Sequence, residues 1–450
     1  MKTTQAVVLL SSIAALAAAA FMTQKTEQQL VVHEWGTFTS LQGSDGVPLK
    51  WNPLESSKLP GFVYNWVNPG LGRRPTGMLA LGAKNVLVTL QRMETPVVYF
   101  YASKETRVDL TVRFPNGGIT EWFPQAADVG PCVYPQNPVV TSLDSGLHQC
   151  GVPPSFTLDS VFEPKTEKAS LIRWPDLDIV PAASHAELEA RLKADASGSH
   201  YFAARETDSA FVRSRQNGST NISGEYEKFL FYRGVGNFVA PLHVEMNEST
   251  VRLSNIGVEP LGHLFVLGIE GDRGDFLQVD TLKRGEQKSA ALNLEKQSRP
   301  VAAVRKAIQT AMAQSLVAEG LYPREAAAMI KTWDDSWFAE PGVRVLYILP
   351  GKWTDQTLPM AMDPQPQELV RVMVGRAELI STTIETQLAR ELVEAKADRI
   401  SAKDDLRKTI GDLGRFAWPA FDRALARADV QPSDRERLRG LFYEVRDSHR

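Results

Sequence analysis

The sequence predicts an α+β fold, with an antiparallel, sandwich-like β-rich portion followed by a helix-rich portion that carries a few strands. Three observations predict it. Short runs rich in Val, Phe, Tyr, Thr and Leu, broken by Gly, Pro, Asn and Asp, dominate residues 28 to 290. Near Ser298 the apolar spacing changes from two to three and four. Helical spacing then dominates the C-terminal stretch, and 450 residues at 43% hydrophobic composition suffice for at least one large core.

Taken in order, residues 1–20, "MKTTQAVVLLSSIAALAAAA", combine one early lysine, an apolar run and an A-x-A ending, the pattern of a secretory signal peptide. The run is short and alanine-rich for a membrane anchor, so the expected location is periplasmic or secreted, with no transmembrane span after cleavage. Residues 21–297 form the expected β-rich domain and 298–450 the α-rich one, packed with the first as a unit if their strands pair. "TPVVYFYA", "VDLTVRFP" and "GITEWFP" read as strands, with "NGG" at 116–118 as a hairpin turn between the last two. "HLFVLGIEGDRGDFLQVDTL" reads as two strands around an acidic turn holding Glu270, Asp272 and Asp275, without the ligand count of a calcium loop. Past Ser298, read as an N-cap, Val304, Ile308, Met312 and Leu316 make one helical stripe that stops at Gly320. A second helix opens at Pro323 with Met329, Trp333 and Trp337 on a stripe. "VRVLYILP" and "LVRVMVGRAELIS" are strands, and Thr382 with Glu385 reads as a capping box.

Charge and cysteine content narrow the function classes. Fifty basic residues against 53 acidic ones exclude an affinity built on neutralising nucleic-acid phosphates. Cys132 and Cys150 bracket a Pro- and Ser-rich loop and predict a disulfide in an oxidising compartment. A Cys/His/Cys metal site using His148 is the alternative.

Candidate chemistry lies in three stretches. In "LVVHEWGTFTS" a strand puts His33, Trp35, Thr37 and Thr39 on one face and Val32, Glu34, Gly36 and Phe38 on the other, so His33 and Glu34 do not serve one site. The His33 face reads either as the wall of a cleft or as a core histidine beside a packed tryptophan. In "LHVEMN", His243 and Glu245 share a strand face and are candidate ligands for a divalent metal, with His33 as a possible third and His263 nearby. The long loop "LKWNPLESSKLPGFVYNWVNPGLGRRP" collects Trp51, Phe62, Tyr64, Trp66, Arg73 and Arg74, suited to stacking on sugar rings or to closing over the core as a lid. Trp122 and Arg233 complete the expected substrate-binding set. No nucleophile elbow occurs.

"VVHEWGTFTS", "ETPVVYFY", "GGITEWFPQA", "EKFLFYRG", "GLYPREAAAMIKTWDDSWF", "VRVLYILP" and "VRVMVGRAEL" together resemble an uncharacterised family of exported bacterial proteins with an N-terminal HEWGTF segment. The resemblance spans about residues 31 to 380. It implies a bacterial source, hence unused glycosylation sequons at Asn217, Asn221 and Asn247, and a single structural unit; it implies no activity. From the residues, the leading expectation is a metal-assisted hydrolase acting on an extracellular polymer such as polysaccharide, with His33, His243 and Glu245 as ligands or acid/base groups. The rival is a non-catalytic glycan-binding or envelope scaffold protein.

Overall fold

The computed structural model describes residues 30–53, 59–65, 68–70, 73–74, 88–130, 134–135, 171–194, 199–215, 225–292, 294, 298–396, 400–427 and 431–448. A ten-stranded sheet organises them. Along the chain its strands are β1 (Val31–Gln42), β2 (Tyr64–Asn65), β3 (Gln91–Tyr101), β4 (Gly117–Phe123), β5 (Leu230–Gly236), β6 (Leu261–Glu270), β7 (Arg273–Leu282), β8 (Arg299–Pro300), β9 (Gly342–Ile348) and β10 (Glu368–Leu379). In space they run β8-β7-β6-β9-β10-β1-β3-β5-β4-β2. Strands from the helix-rich stretch are therefore inserted into the middle of the sheet. The expected antiparallel pairing has one exception among these strands, since β1 runs parallel to β10 while pairing antiparallel with β3.

The three layers follow from which residues each strand buries. One face of the main sheet, with Val32, Phe38, Val98 and Val345, packs on Leu110, Ile172, Trp174 and Ile179 of a second sheet and on Val244 and Leu253 of a small third sheet. That is the sandwich-like part. The opposite face, with Trp35, Val97, Phe265 and Leu346, is covered by α2 (Val301–Ala318), α3 (Pro323–Thr332) and α4 (Asp334–Phe338), the helix Ala186–Ala194 being α1. The predicted stripe of Val304, Ile308, Met312 and Leu316 is the buried side of α2. Gly320 stops that region at φ +106°, a left-handed backbone favouring glycine. After α5 (Gly351–Thr357), helices α6 (Thr382–Lys396), α7 (Ile400–Leu413), α8 (Ala417–Arg427) and α9 (Pro432–Ser448) bury a separate core around Leu388, Leu406 and Phe421, to which Leu41 and Trp51 contribute.

Several local expectations are corrected. "NGG" does not close a hairpin: Thr106–Arg113 belongs to the second sheet and β4 to the main one. The burial of the two strands explains why. Thr106–Arg113 alternates buried and open residues, as an outer layer does, whereas all of β4 is buried. Ser298 does not cap α2; its hydroxyl accepts from Arg273 instead, 2.7 Å away. Glu385 is not half of a capping box either, because it binds Ser44, Arg423 and Arg427 while Ser381 Oγ accepts from the Ile384 amide. The "EGDRGD" segment does form the turn between β6 and β7, with Gly271 at φ +59°. Cys132, Cys150, His148, Asn217 and Asn221 lie outside the described residues, as does the signal-like segment.

Glycine marks where layers touch. At Gly375 of β10 an added Cβ would overlap the buried Tyr347 ring, whereas at Gly262 of β6 it would meet nothing within 4 Å. Gly375→Ala is expected to lose about 1–3 kcal/mol by overpacking, and Gly262→Ala to lie within about 0.5 kcal/mol of the parent. Urea denaturation of the two variants measures the contrast.

Candidate functional site

β1 is buried over its whole length, on both faces. Its alternation is as predicted, but neither face is the wall of a cleft. On the helix side, Nδ1 of His33 lies 2.8 Å from Oε2 of Glu325, and both side chains are fully buried. Glu325 is the third residue of α3, and its position is fixed locally: the Tyr322 amide donates to Oε2 at 2.7 Å, closing the first turn opened by Pro323. Its Oε1 accepts from the Tyr101 hydroxyl at 2.7 Å. The His33 ring sits edge-on to Tyr101 and 4.4 Å, centroid to centroid, from Tyr322.

Tyr101 and Tyr322 are also the link to solvent. They line an open hollow of about 310 Å³ with Ser103, Asp208, Val31 and Pro181. Burial, reinforced by the Glu325 carboxylate, holds the Tyr101 hydroxyl well above the ordinary tyrosine range, so it stays a protonated donor. Tyr322 is raised too, by burial first and then by Glu368 and Glu325. Asp208 at the rim pairs with Arg324 of α3.

On the other face of β1, Glu34 accepts from Arg371 Nε at 2.7 Å and from the Tyr232 hydroxyl. Burial alone would lower Arg371, yet Glu34 and Tyr232 raise it above its usual value. Back on the His33 face, farther along, Thr39 donates to Glu94 at 2.9 Å, inside a buried layer that also holds Arg92, Arg376, Glu378 and Arg344. Arg415, just before α8, reaches in to Glu94 at 3.2 Å. Burial opposes ionisation of Glu94, but Arg92, Arg415 and Arg376 overcome it and lower the carboxyl from 4.5 to about 2. Arg92 is pulled down to about 9 by burial, against the pull of Glu94.

The expected metal ligands do not meet. Gln42, at the far end of β1, exchanges hydrogen bonds with Leu242 and Val244, and the His243 ring lies against Gly46. From His33 to Gln42 is nine strand residues, about 30 Å. His243 bonds Glu245 at 3.3 Å, Glu245 bonds Arg252, and His263 pairs with Glu319 on the opposite side of the sheet. Among the described residues no group of three or more His, Cys, Asp or Glu side chains is placed to hold a metal ion.

The expected substrate-binding residues are mostly core. Trp35, Trp51 and Trp122 are 0% exposed. Arg233 is buried and bonds Glu121 through Nε at 3.0 Å. Arg73 pairs with Pro135 in a two-residue ladder, and Trp66 lies outside the described residues. The residues that sequence reasoning missed are Tyr101, Asp208, Tyr322 and Glu325. Only Glu325 carried a signal, a glutamate two residues after the proline that opens a helix.

No family model matches the chain, and no curated protein matches it. Among solved structures, the Mu homology domain of Fcho1 from Danio rerio, with bound Eps15 peptide, aligns with 78% of this chain and 97% of its own at 7% identity and a TM-score of 0.29. A likeness of that size carries no argument about fold or function.

Two measurements follow from the buried pairs. Glu325→Ala strands His33 and the Tyr101 hydroxyl and is expected to cost about 3 kcal/mol in urea denaturation, with Glu325→Gln losing less. Because the folded Glu94 carboxyl is depressed from 4.5 to about 2, its stabilisation is present above pH 4.5 and fades as the pH falls toward 2. Glu94→Gln should therefore lower stability at neutral pH and flatten the acid limb in that window, read as stability against pH.

Proposed function

We propose that this chain is an exported, non-catalytic binding protein whose ligand site is the hollow between Tyr101, Tyr322 and Asp208, and whose ligand is a glycan of the envelope or its surroundings. One observation carries the reading. The candidate acid/base groups on β1 are already committed and sealed, His33 to Glu325 and Glu34 to Arg371, while two partly exposed tyrosines and a carboxylate line an open hollow directly above. Tyrosine faces with a few polar groups recognise sugar rings by stacking and hydrogen bonding without needing a reactive group. The N-terminal signal pattern supports export, and among the described residues no helix is long and apolar enough to cross a membrane.

Metal-assisted hydrolysis is the weaker reading, because it draws on His33, His243 and Glu245, and His33 is separated from the other two by most of the length of β1. A glycan array followed by calorimetry tests the choice. The wild type is expected to bind with no release of reducing ends, and Tyr322→Ala about tenfold more weakly, the loss of roughly 1.4 kcal/mol of ring contact. Metal copurifying with the protein, together with turnover lost in His243→Ala, would instead restore the hydrolase.

A further inference from the structure

His33 is only half used by its pairing. Glu325, which already accepts from the Tyr322 amide and the Tyr101 hydroxyl, also faces Nδ1. A carboxylate facing Nδ1 calls for a proton on that nitrogen, and in the neutral ring with that tautomer Nε2 is an acceptor. That Nε2 is buried and, among the described residues, has no hydrogen-bond partner. An unmade bond at a buried polar atom is costly, and such atoms in folded proteins call for an explanation. The two tyrosines that line the hollow also pack on the His33 ring, Tyr322 at 4.4 Å and Tyr101 at 5.5 Å between centroids. Tyr322 is the more exposed of the two covers: it precedes α3 and is 40% exposed.

Building on the binding role proposed above, we infer that His33 belongs to the ligand site: Tyr322 swings outward as the ligand enters, and a ligand hydroxyl donates to Nε2. The lining sets the ligand class. Among the described residues it holds two tyrosines, one serine and one carboxylate, with no lysine or arginine. Asp208 and Nε2 are acceptors that ask for donors, and the aromatic faces suit the C–H face of a pyranose. Phosphorylated, sulfated or uronic ligands find no cation in that lining. The ligand is therefore a neutral, polyhydroxylated sugar chain. A quaternary ammonium group, which two tyrosines and a carboxylate also attract, is the competing ligand; the Asp208 charge is already countered by Arg324, which favours the sugar.

The test uses the full chain labelled with ¹⁵N-histidine and four probes: maltotetraose, cellotetraose, the tetramer of N-acetylglucosamine, and choline. One of the oligosaccharides is expected to bind in calorimetry and to shift the His33 Nε2 resonance. His33→Asn, whose amide still donates to Glu325 but which lacks Nε2, should bind at least tenfold more weakly. Sugar binding with an unmoved Nε2 resonance and equal affinity in His33→Asn overturns the role of His33 and leaves the hollow as a glycan site. If only choline binds, the hollow is a cation cage and the sugar assignment falls. If no probe binds, the binding role and the inference fall together. Should His33→Asn not fold, the wild-type resonance alone decides.

Discussion

The rest of the structure depends on a central strand that is buried on both faces while carrying polar side chains at half its positions. β1 is paired on both edges, to β3 and β10, so its backbone is satisfied within the sheet. Its side chains are not. His33, Glu34, Thr39 and Gln42 each sit where water cannot reach and must find a protein partner or leave a buried group unmet. The partners tie β1 to several other elements. His33 draws in α3 through Glu325, Glu34 meets Arg371 and Tyr232, and Thr39 joins the Glu94 layer that Arg415 reaches from the C-terminal helices. Gln42 holds the third sheet through Leu242 and Val244. One strand thus fixes where the helices, the small sheet and the C-terminal bundle dock.

Such pairs are a poor way to gain stability, since desolvating two charges offsets most of their attraction. Their value lies in register. Glu34 stands directly beside Arg371 in the parallel β1–β10 pair, and Thr39 beside Arg376. A slip of one residue would turn Arg371 toward the helix-covered face, near Trp35, and away from Glu34. An apolar strand of the same length would tolerate that slip far better. The depressed Glu94 carboxyl and the raised Arg371 report the same constraint electrostatically, because each is held ionised by a neighbour that only one register supplies.

What the sequence made legible is what short-range physics decides. The faces of β1, the stripe of α2 and its glycine stop, the opening of α3 at Pro323 and the turn between β6 and β7 all follow from spacing and local backbone preference. Pairing across the chain was not legible. Glu325 is 292 residues from His33, and nothing in either neighbourhood encodes that distance. The "NGG" turn misled for a related reason: a tight turn predicts a reversal, but which sheet receives the next strand is settled by burial, and β4 is an inner strand. Trp35, Trp51 and Trp122 misled because tryptophan suits a dry core and a binding surface equally. The quoted segments that carry the resemblance nonetheless meet in space. "VVHEWGTFTS", "ETPVVYFY", "GLYPREAAAMIKTWDDSWF" and "VRVMVGRAEL" supply His33, Tyr101, Glu325 and Arg371, the two buried pairs of β1 and the tyrosine that adjoins them.

The same demand for satisfied polar groups underlies the proposed preference for recognition over chemistry. A general base needs a proton acceptor that substrate can reach, and a nucleophile needs a neighbour that draws its proton away. Glu34 is pinned by a guanidinium and a phenol; Glu325 is shared among an imidazole, a phenol and its own helix. Tyr101 is held protonated by burial and by that carboxylate. What remains for the proposed ligand is the outer faces of Tyr101 and Tyr322, the Asp208 carboxylate, and the His33 Nε2, which has no partner among the described residues. These are groups that accept hydrogen bonds and stack, as the proposed sugar ligand requires.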